Sequence, residues 1–209
     1  MPFTTTYAAL LGVGSFAVAR LDGVERLRAL RAVSTNLANL AAGHVETLFV
    51  SAFVPADVVV PLLLVAVAGM ALSELLLTWR TALLAFAVGH VAVSLAVAAL
   101  LALRALPGVA ADGVEDAIDT GPSYGAAAVI GAGLVVAVLR AAPAVRGRLH
   151  TFVLALPVAA PVAAMLLLAA SPTFSAWGHL FALLTGAGVG VGAVVHARSR
   201  RPSLAGGVA

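Results

Sequence analysis

The chain has 209 residues, of which 62% are hydrophobic and only 10% charged, with a formal net charge of +3. So few charges cannot cover the surface of a water-soluble domain, and the composition describes an integral membrane protein whose solvent is the bilayer. All 12 basic residues are arginine and they are scattered, which excludes a phosphate-tracking nucleic-acid surface, and the lack of cysteine excludes disulfides, thiolate metal sites and cysteine nucleophiles.

The chain begins "MPFTTTYAALLGVGSFAVAR", which imitates a signal peptide but has no basic n-region and no convincing cleavage site. A retained first span over 4–19 is the expectation. The stretch 20–57 is too polar to cross a membrane. Within it, "LDGVERLRALRAV" sets Leu21, Val24, Leu27 and Leu30 at three-residue spacing among four arginines, the pattern of a helix lying in the headgroup region. A crossing needs about 20 apolar residues. The segments 58–78 and 81–103 qualify, separated by a tight turn at "TWRT", and Pro61 is tolerated in the first turn of the former. Further spans follow at 122–140, 150–170 and 175–195. With no internal repeat and no separate soluble unit, residues 1–209 form one membrane domain of six helices with a long amphipathic first loop.

The arginines then orient the chain. Arg80, the cluster Arg140, Arg146 and Arg148, and the tail Arg198, Arg200 and Arg201 share one side of a six-span arrangement. Asp112, Glu115, Asp116 and Asp119 fall on the other. The positive-inside rule puts both termini in the cytoplasm of a multi-pass protein of the plasma membrane. The four arginines of 20–57 oppose this rule and are offset by Asp22, Glu25, Glu46 and Asp57.

Polar groups within spans are costly, and each is a candidate site. Glu74 lies near the end of its span, able to reach the interface or pair with Arg80. His90, midway along the third span, reads as a helix–helix hydrogen-bonding residue. His44, His150 and His196 fall in loops or at a span end. Ser123 and His179 stand apart, because the fourth and sixth spans both start from the outer face and carry these residues near their beginnings. Small residues set both helices up for close approach: Gly125, Ala128, Gly131 and Gly133 in one, Ala182, Gly186 and Gly190 in the other. A serine hydroxyl becomes a nucleophile when a neighbouring histidine takes its proton. The free N–H groups of a helix start, here at Ser123 and Tyr124, are suited to stabilise an oxyanion. The bland alternative is a capping serine on a helix packed through small residues.

"DTGPSYGAAAVIGAG" with "WGHLFALLTGAGVG" resembles the rhomboid family of intramembrane serine proteases. That family carries a GxSG motif at the start of its fourth span and a histidine in an HxxGxxxG-like pattern in its sixth. Here the first is Gly121-Pro122-Ser123-Tyr124-Gly125 and the second is His179-xx-Ala182-xxx-Gly186. "ETLFVSAFVPAD" and "GMALSELLLTWRTALLAFAVGHVAVSL" resemble the segments around the family's second and third spans. The likeness runs in order from about 46 to 190 and is strongest to actinobacterial rhomboid-like proteins. It implies a six-helix rhomboid-like bundle with a partly buried first loop, and a metal-free, cofactor-free Ser123–His179 dyad. It also implies transmembrane protein substrates cleaved within the lipid bilayer. Three features depart from the pattern. Tyr124 replaces the second glycine, the family's WR pair is missing from the first loop, and the second span has neither of the His and Asn side chains that support the oxyanion. Asn36, Asn39 and His44 are the candidates to replace them. An inactive rhomboid-like protein that binds transmembrane segments is the competing expectation.

Overall fold

The computed structural model describes residues 1–56, 59–104, 118–141 and 174–199. Described elements are α1 (Pro2–Ala19), α2 (Gly23–Val33), α3 (Leu37–Ala41), α4 (Thr47–Val50), a 3-10 turn (Ser51–Phe53), α5 (Val60–Leu76), α6 (Trp79–Arg104), α7 (Ser123–Ala141) and α8 (Phe174–Ser199). Among the described residues there is no strand. Four helices, α1, α6, α7 and α8, are long and apolar enough to cross a membrane, and α5 is apolar but shorter at 17 residues. The expected span at 150–170 lies outside the described residues.

Helix starts follow local chemistry. The Asp22 carboxylate caps α2 by accepting from the N–H groups of Val24 and Glu25 at 3.0 and 2.9 Å. Thr78, in the short turn expected between α5 and α6, receives the Thr81 N–H on its hydroxyl at 3.2 Å. The uncapped start of α1 is completed from another helix. Glu74 of α5, only 5% exposed, accepts from Phe3 N at 3.1 Å, Thr4 N at 2.8 Å and Thr4 Oγ1 at 2.6 Å. Glu74 therefore serves the first helix, and neither of its expected partners, Arg80 and the interface, is needed to explain it.

α7 is the interior helix. Of its membrane-spanning window 67% is buried, against 22% for α1 and for α8. Its small residues notch it on three sides. A methyl group on Gly125 would strike the Phe86 ring of α6, and one on Gly133 would strike Ser73 of α5. On the third side the seam with α8 is backbone on backbone. Gly131 abuts the Leu183 carbonyl, Gly186 the Ala128 carbonyl and Gly190 the Ala132 carbonyl. The pairs Tyr124–Gly178, Ala128–Gly186 and Ala132–Gly190 advance together along both chains and make α7 and α8 parallel, so both start at the same end of the bundle. The expected small-residue seam is present, although Gly125 and Gly133 serve α6 and α5 instead.

The stretch after α2 is where polar residues enter the interior. Ser34, Thr35, Asn36, Thr47 and Ser51 are all buried. Tyr7 Oη of α1 donates to the Ala52 carbonyl at 2.6 Å. Ser51 meets His90, eleven residues into α6 and thus about 16 Å along it. Ser34, Thr35, Thr47 and Ser51 thus turn inward between α1 and α6, while residues 41–46, 49 and 50 stay exposed. α2, with Val24 and Leu27 exposed, keeps the amphiphilic character expected of the segment, as do Val45, Phe49 and Val50, exposed beside His44 and Glu46.

Candidate functional site at the starts of α7 and α8

Gly121 has φ +121°, a conformation that favours glycine, and its N–H donates to the Ser51 carbonyl at 2.8 Å. The chain turns there into α7. The Pro122 carbonyl accepts the first helical hydrogen bond, from Ala126 N–H at 2.9 Å, so proline sits just outside the helix, where its missing N–H costs nothing. Ser123 is the first residue of α7 and is partly buried. Among the described residues nothing accepts its backbone N–H or that of Tyr124, and its hydroxyl makes no hydrogen bond.

In the first turns of α8 the His179 ring turns back on its own helix, with Nδ1 2.6 Å from the Ser175 carbonyl. A carbonyl only accepts, so Nδ1 carries the proton of the neutral ring and Nε2 keeps a lone pair. The side chain that His179 meets across the seam is Tyr124, edge to face, with ring centroids 5.3 Å apart. Tyr124 is buried and packs on the bare backbone of Gly178, where a methyl group would collide with its ring. The structure therefore brings Ser123 and His179 to the same end of a parallel helix pair. It joins them through Tyr124, with no direct hydrogen bond between them among the described residues.

Asp119, which sequence reasoning counted only as a loop charge, belongs to this cluster. Its backbone is held by the first loop: Asp119 N–H donates to Ser34 Oγ at 2.8 Å, and Thr35 N–H donates to the Asp119 carbonyl at 3.1 Å. Its carboxyl faces the Tyr124 hydroxyl, and burial pushes that carboxyl up to about 6, with Tyr124 opposing the shift. Asp119 Oδ2, Thr120 Oγ1 and Tyr124 Oη are buried without reaching hydrogen-bonding geometry to any group. Three orphaned polar atoms at one helix start are unusual in a folded interior.

A second Ser–His pair lies deeper. Thr35 Oγ1 is 3.0 Å from Ser51 Oγ, which is 3.1 Å from His90 Nε2, the one Ser–His side-chain hydrogen bond among the described residues. Ser51 is 0% and His90 4% exposed, so no substrate reaches this pair, and it fastens the dipping loop to α6. His90 is thus a structural hydrogen-bonding residue, bound to the 3-10 turn of the first loop and not, as expected, to another spanning helix. The candidates for oxyanion support are committed elsewhere. The Asn36 side chain caps α3, accepting Asn39 N–H at 2.8 Å, and Asn39 Nδ2 donates to the Arg31 and Ser34 carbonyls, both at 2.8 Å. His44 is exposed beside Glu46. His196 lies exposed near the end of α8, and His150 is outside the described residues. Among the described residues no three His, Asp or Glu side chains converge as a metal site would require.

No family model, no curated protein and no solved structure matches this chain.

Proposed function

We propose that this protein is a rhomboid-like intramembrane serine endopeptidase of a cell membrane, with Ser123 as nucleophile and His179 as general base. The single observation that carries this reading is the parallel, glycine-notched α7–α8 pair, in which His179 lies against the residue next to Ser123. Three local features support it. Among the described residues the Ser123 hydroxyl has no hydrogen bond and the first amides of α7 are unclaimed, and the His179 proton on Nδ1 leaves Nε2 as the basic nitrogen. Ser123 would attack the scissile carbonyl of a transmembrane substrate as its proton passes to His179 Nε2. The Ser123 and Tyr124 N–H groups would face the oxyanion, and His179 would return the proton to the leaving amine. Direct Ser–His geometry of this kind commonly tightens only when substrate binds.

A specific observation also favours a second reading, a catalytically inactive protein that binds transmembrane segments. Tyr124 fills the seam against Gly178 and His179, and the Asn36 and Asn39 amides are bound within their own loop. Both readings share the orientation expected from the arginines, with each terminus in the cytoplasm. One experiment separates them. Purified protein in liposomes is given a reporter transmembrane substrate and, in parallel, a fluorophosphonate probe. Protease chemistry predicts cleavage and labelling by wild type, with both lost in Ser123→Ala, and cleavage reduced at least 100-fold in His179→Ala. Substrate co-purification without cleavage, and labelling equal in wild type and Ser123→Ala, supports the binding reading and rules out the nucleophile.

A further inference from the structure

At the end of the bundle opposite the Ser123 cluster lies a vestibule of about 1110 Å³ between the α5–α6 turn and the ends of α7 and α8. Three arginines from three helices line it: Arg80 of α6, Arg140 of α7 and Arg198 of α8. No described acidic side chain lines it, and none of the three makes an ion pair among the described residues. The nearby carboxylate, Glu74, is occupied by the start of α1. Helix dipoles account for Arg140 and Arg198, which sit in the last turns of α7 and α8 beside carbonyl-rich ends. They do not account for Arg80, which stands in the first turn of α6, where a dipole disfavours a cation. An anion in the vestibule would satisfy all three guanidinium groups and the α6 start at once.

The walls identify the anion. Between the arginines run Leu75, Leu139 and Val194, and the rim carries Trp79, 46% exposed, beside Leu75, 66% exposed. The Arg80 guanidinium lies 5.2 Å from the centroid of the Trp79 ring, which supports one face of the guanidinium. A free inorganic anion has no use for apolar walls open to the bilayer, whereas an amphiphile fits both surfaces. We propose that the vestibule binds an anionic phospholipid. Its phosphate would be held by Arg80, Arg140 and Arg198, and its acyl chains would lie along the leucine-lined side.

The test is lipid retention measured by native mass spectrometry on delipidated, detergent-purified protein titrated with phosphatidylglycerol, phosphatidylcholine or inorganic phosphate. Wild type is expected to retain phosphatidylglycerol at least tenfold better than phosphatidylcholine. The triple variant Arg80→Gln/Arg140→Gln/Arg198→Gln should lose that preference, while Arg28→Gln/Arg31→Gln on α2 should keep it. Arg80→Gln alone, at an exposed side chain, should weaken retention several-fold without disturbing the helical circular-dichroism signal. Unchanged retention in Arg80→Gln or in the triple variant, or an equal loss in the α2 control, overturns the site. Displacement of the lipid by equimolar inorganic phosphate would overturn the phospholipid as its ligand.

Discussion

A carboxylate inside an apolar helix bundle persists only where donors replace the water it has lost. Glu74 has three such donors, two backbone N–H groups and a hydroxyl, all at the start of α1. It does across helices what an Asp or Ser cap does within one. Glu74→Ala is expected to destabilise the protein by about 2–3 kcal/mol, the scale of charge-assisted hydrogen bonds together with a lost cap. Glu74→Gln, which keeps an acceptor oxygen but not the charge, should cost about half as much. Unfolding in mixed micelles measures both, and a loss under about 0.5 kcal/mol for the alanine variant would remove this role. Asp119 presents the opposite case, a carboxyl with no donor within hydrogen-bonding geometry on Oδ2 and its affinity for protons raised to about 6 from an ordinary 3.8. Below about pH 4 the group is protonated in both folded and unfolded chains, and its contribution is most favourable. As the pH rises from about 4 to about 6 the unfolded chain is ionised while the folded carboxyl still holds its proton, and the folded chain loses up to about 1–3 kcal/mol relative to it. Melting temperatures of wild type and Asp119→Asn should therefore diverge between pH 4 and 7, with wild type falling. Parallel curves would refute the buried carboxyl.

At the scale of elements, stability rests on how closely α7 is approached, and adjacent glycines of α8 make a matched test. Gly186 faces the Ala128 carbonyl with no space for a methyl group, whereas Gly188, two residues on, has nothing near it. Gly186→Ala is expected to push α8 off α7 and cost about 1–3 kcal/mol, while Gly188→Ala should be neutral or slightly stabilising. Thermal unfolding of the two variants decides it, and equal effects would mean that the seam is not the contact that matters. This seam was legible in the sequence, because four-residue spacing of Ala182, Gly186 and Gly190 is a local property of one helix. So were the helices themselves and the α5–α6 turn, written in runs of apolar residues and in Thr78. What was not legible depends on which distant segments meet. That Ser51 binds His90, that Glu74 caps α1, and that Tyr124 rather than Ser123 touches His179 are facts of packing between elements 39, 70 and 55 positions apart. Hydropathy carries no such information. Nor does hydropathy separate the polar residues of 34–53 that are buried, Ser34, Thr35, Asn36, Thr47 and Ser51, from His44 and Glu46, which stay exposed and pair with each other.

For the molecule as a whole, the ends of the described chain lie together. The start of α1 is bound by Glu74 near the end of α5, and the end of α8 shares the arginine vestibule with that same turn. His44 and Glu46 lie in the loop after α3, reached from the far end of α1. The proposed orientation assigns the arginine vestibule to the cytoplasm, and it must do so against Arg20, Arg26, Arg28 and Arg31 at the other end. Two of these arginines have neutral partners in the fold and keep their charge: Arg26 donates to the Ala56 carbonyl, and Arg20 lies over the Phe16 ring with its guanidinium carbon 4.4 Å from the centroid. The chain has no cysteine, so single substitutions report without background. In intact cells a membrane-impermeant maleimide is expected to label Val45→Cys, which is 60% exposed, and to leave Ser199→Cys unlabelled until the membrane is opened. Labelling of Ser199→Cys alone would invert the orientation. It would also place Ser123 at the cytoplasmic face and move the proposed site of substrate attack to the other side of the membrane. Labelling of both positions in sealed cells would break the arrangement itself, because the dipping loop and the arginine vestibule lie at opposite ends of the same helices.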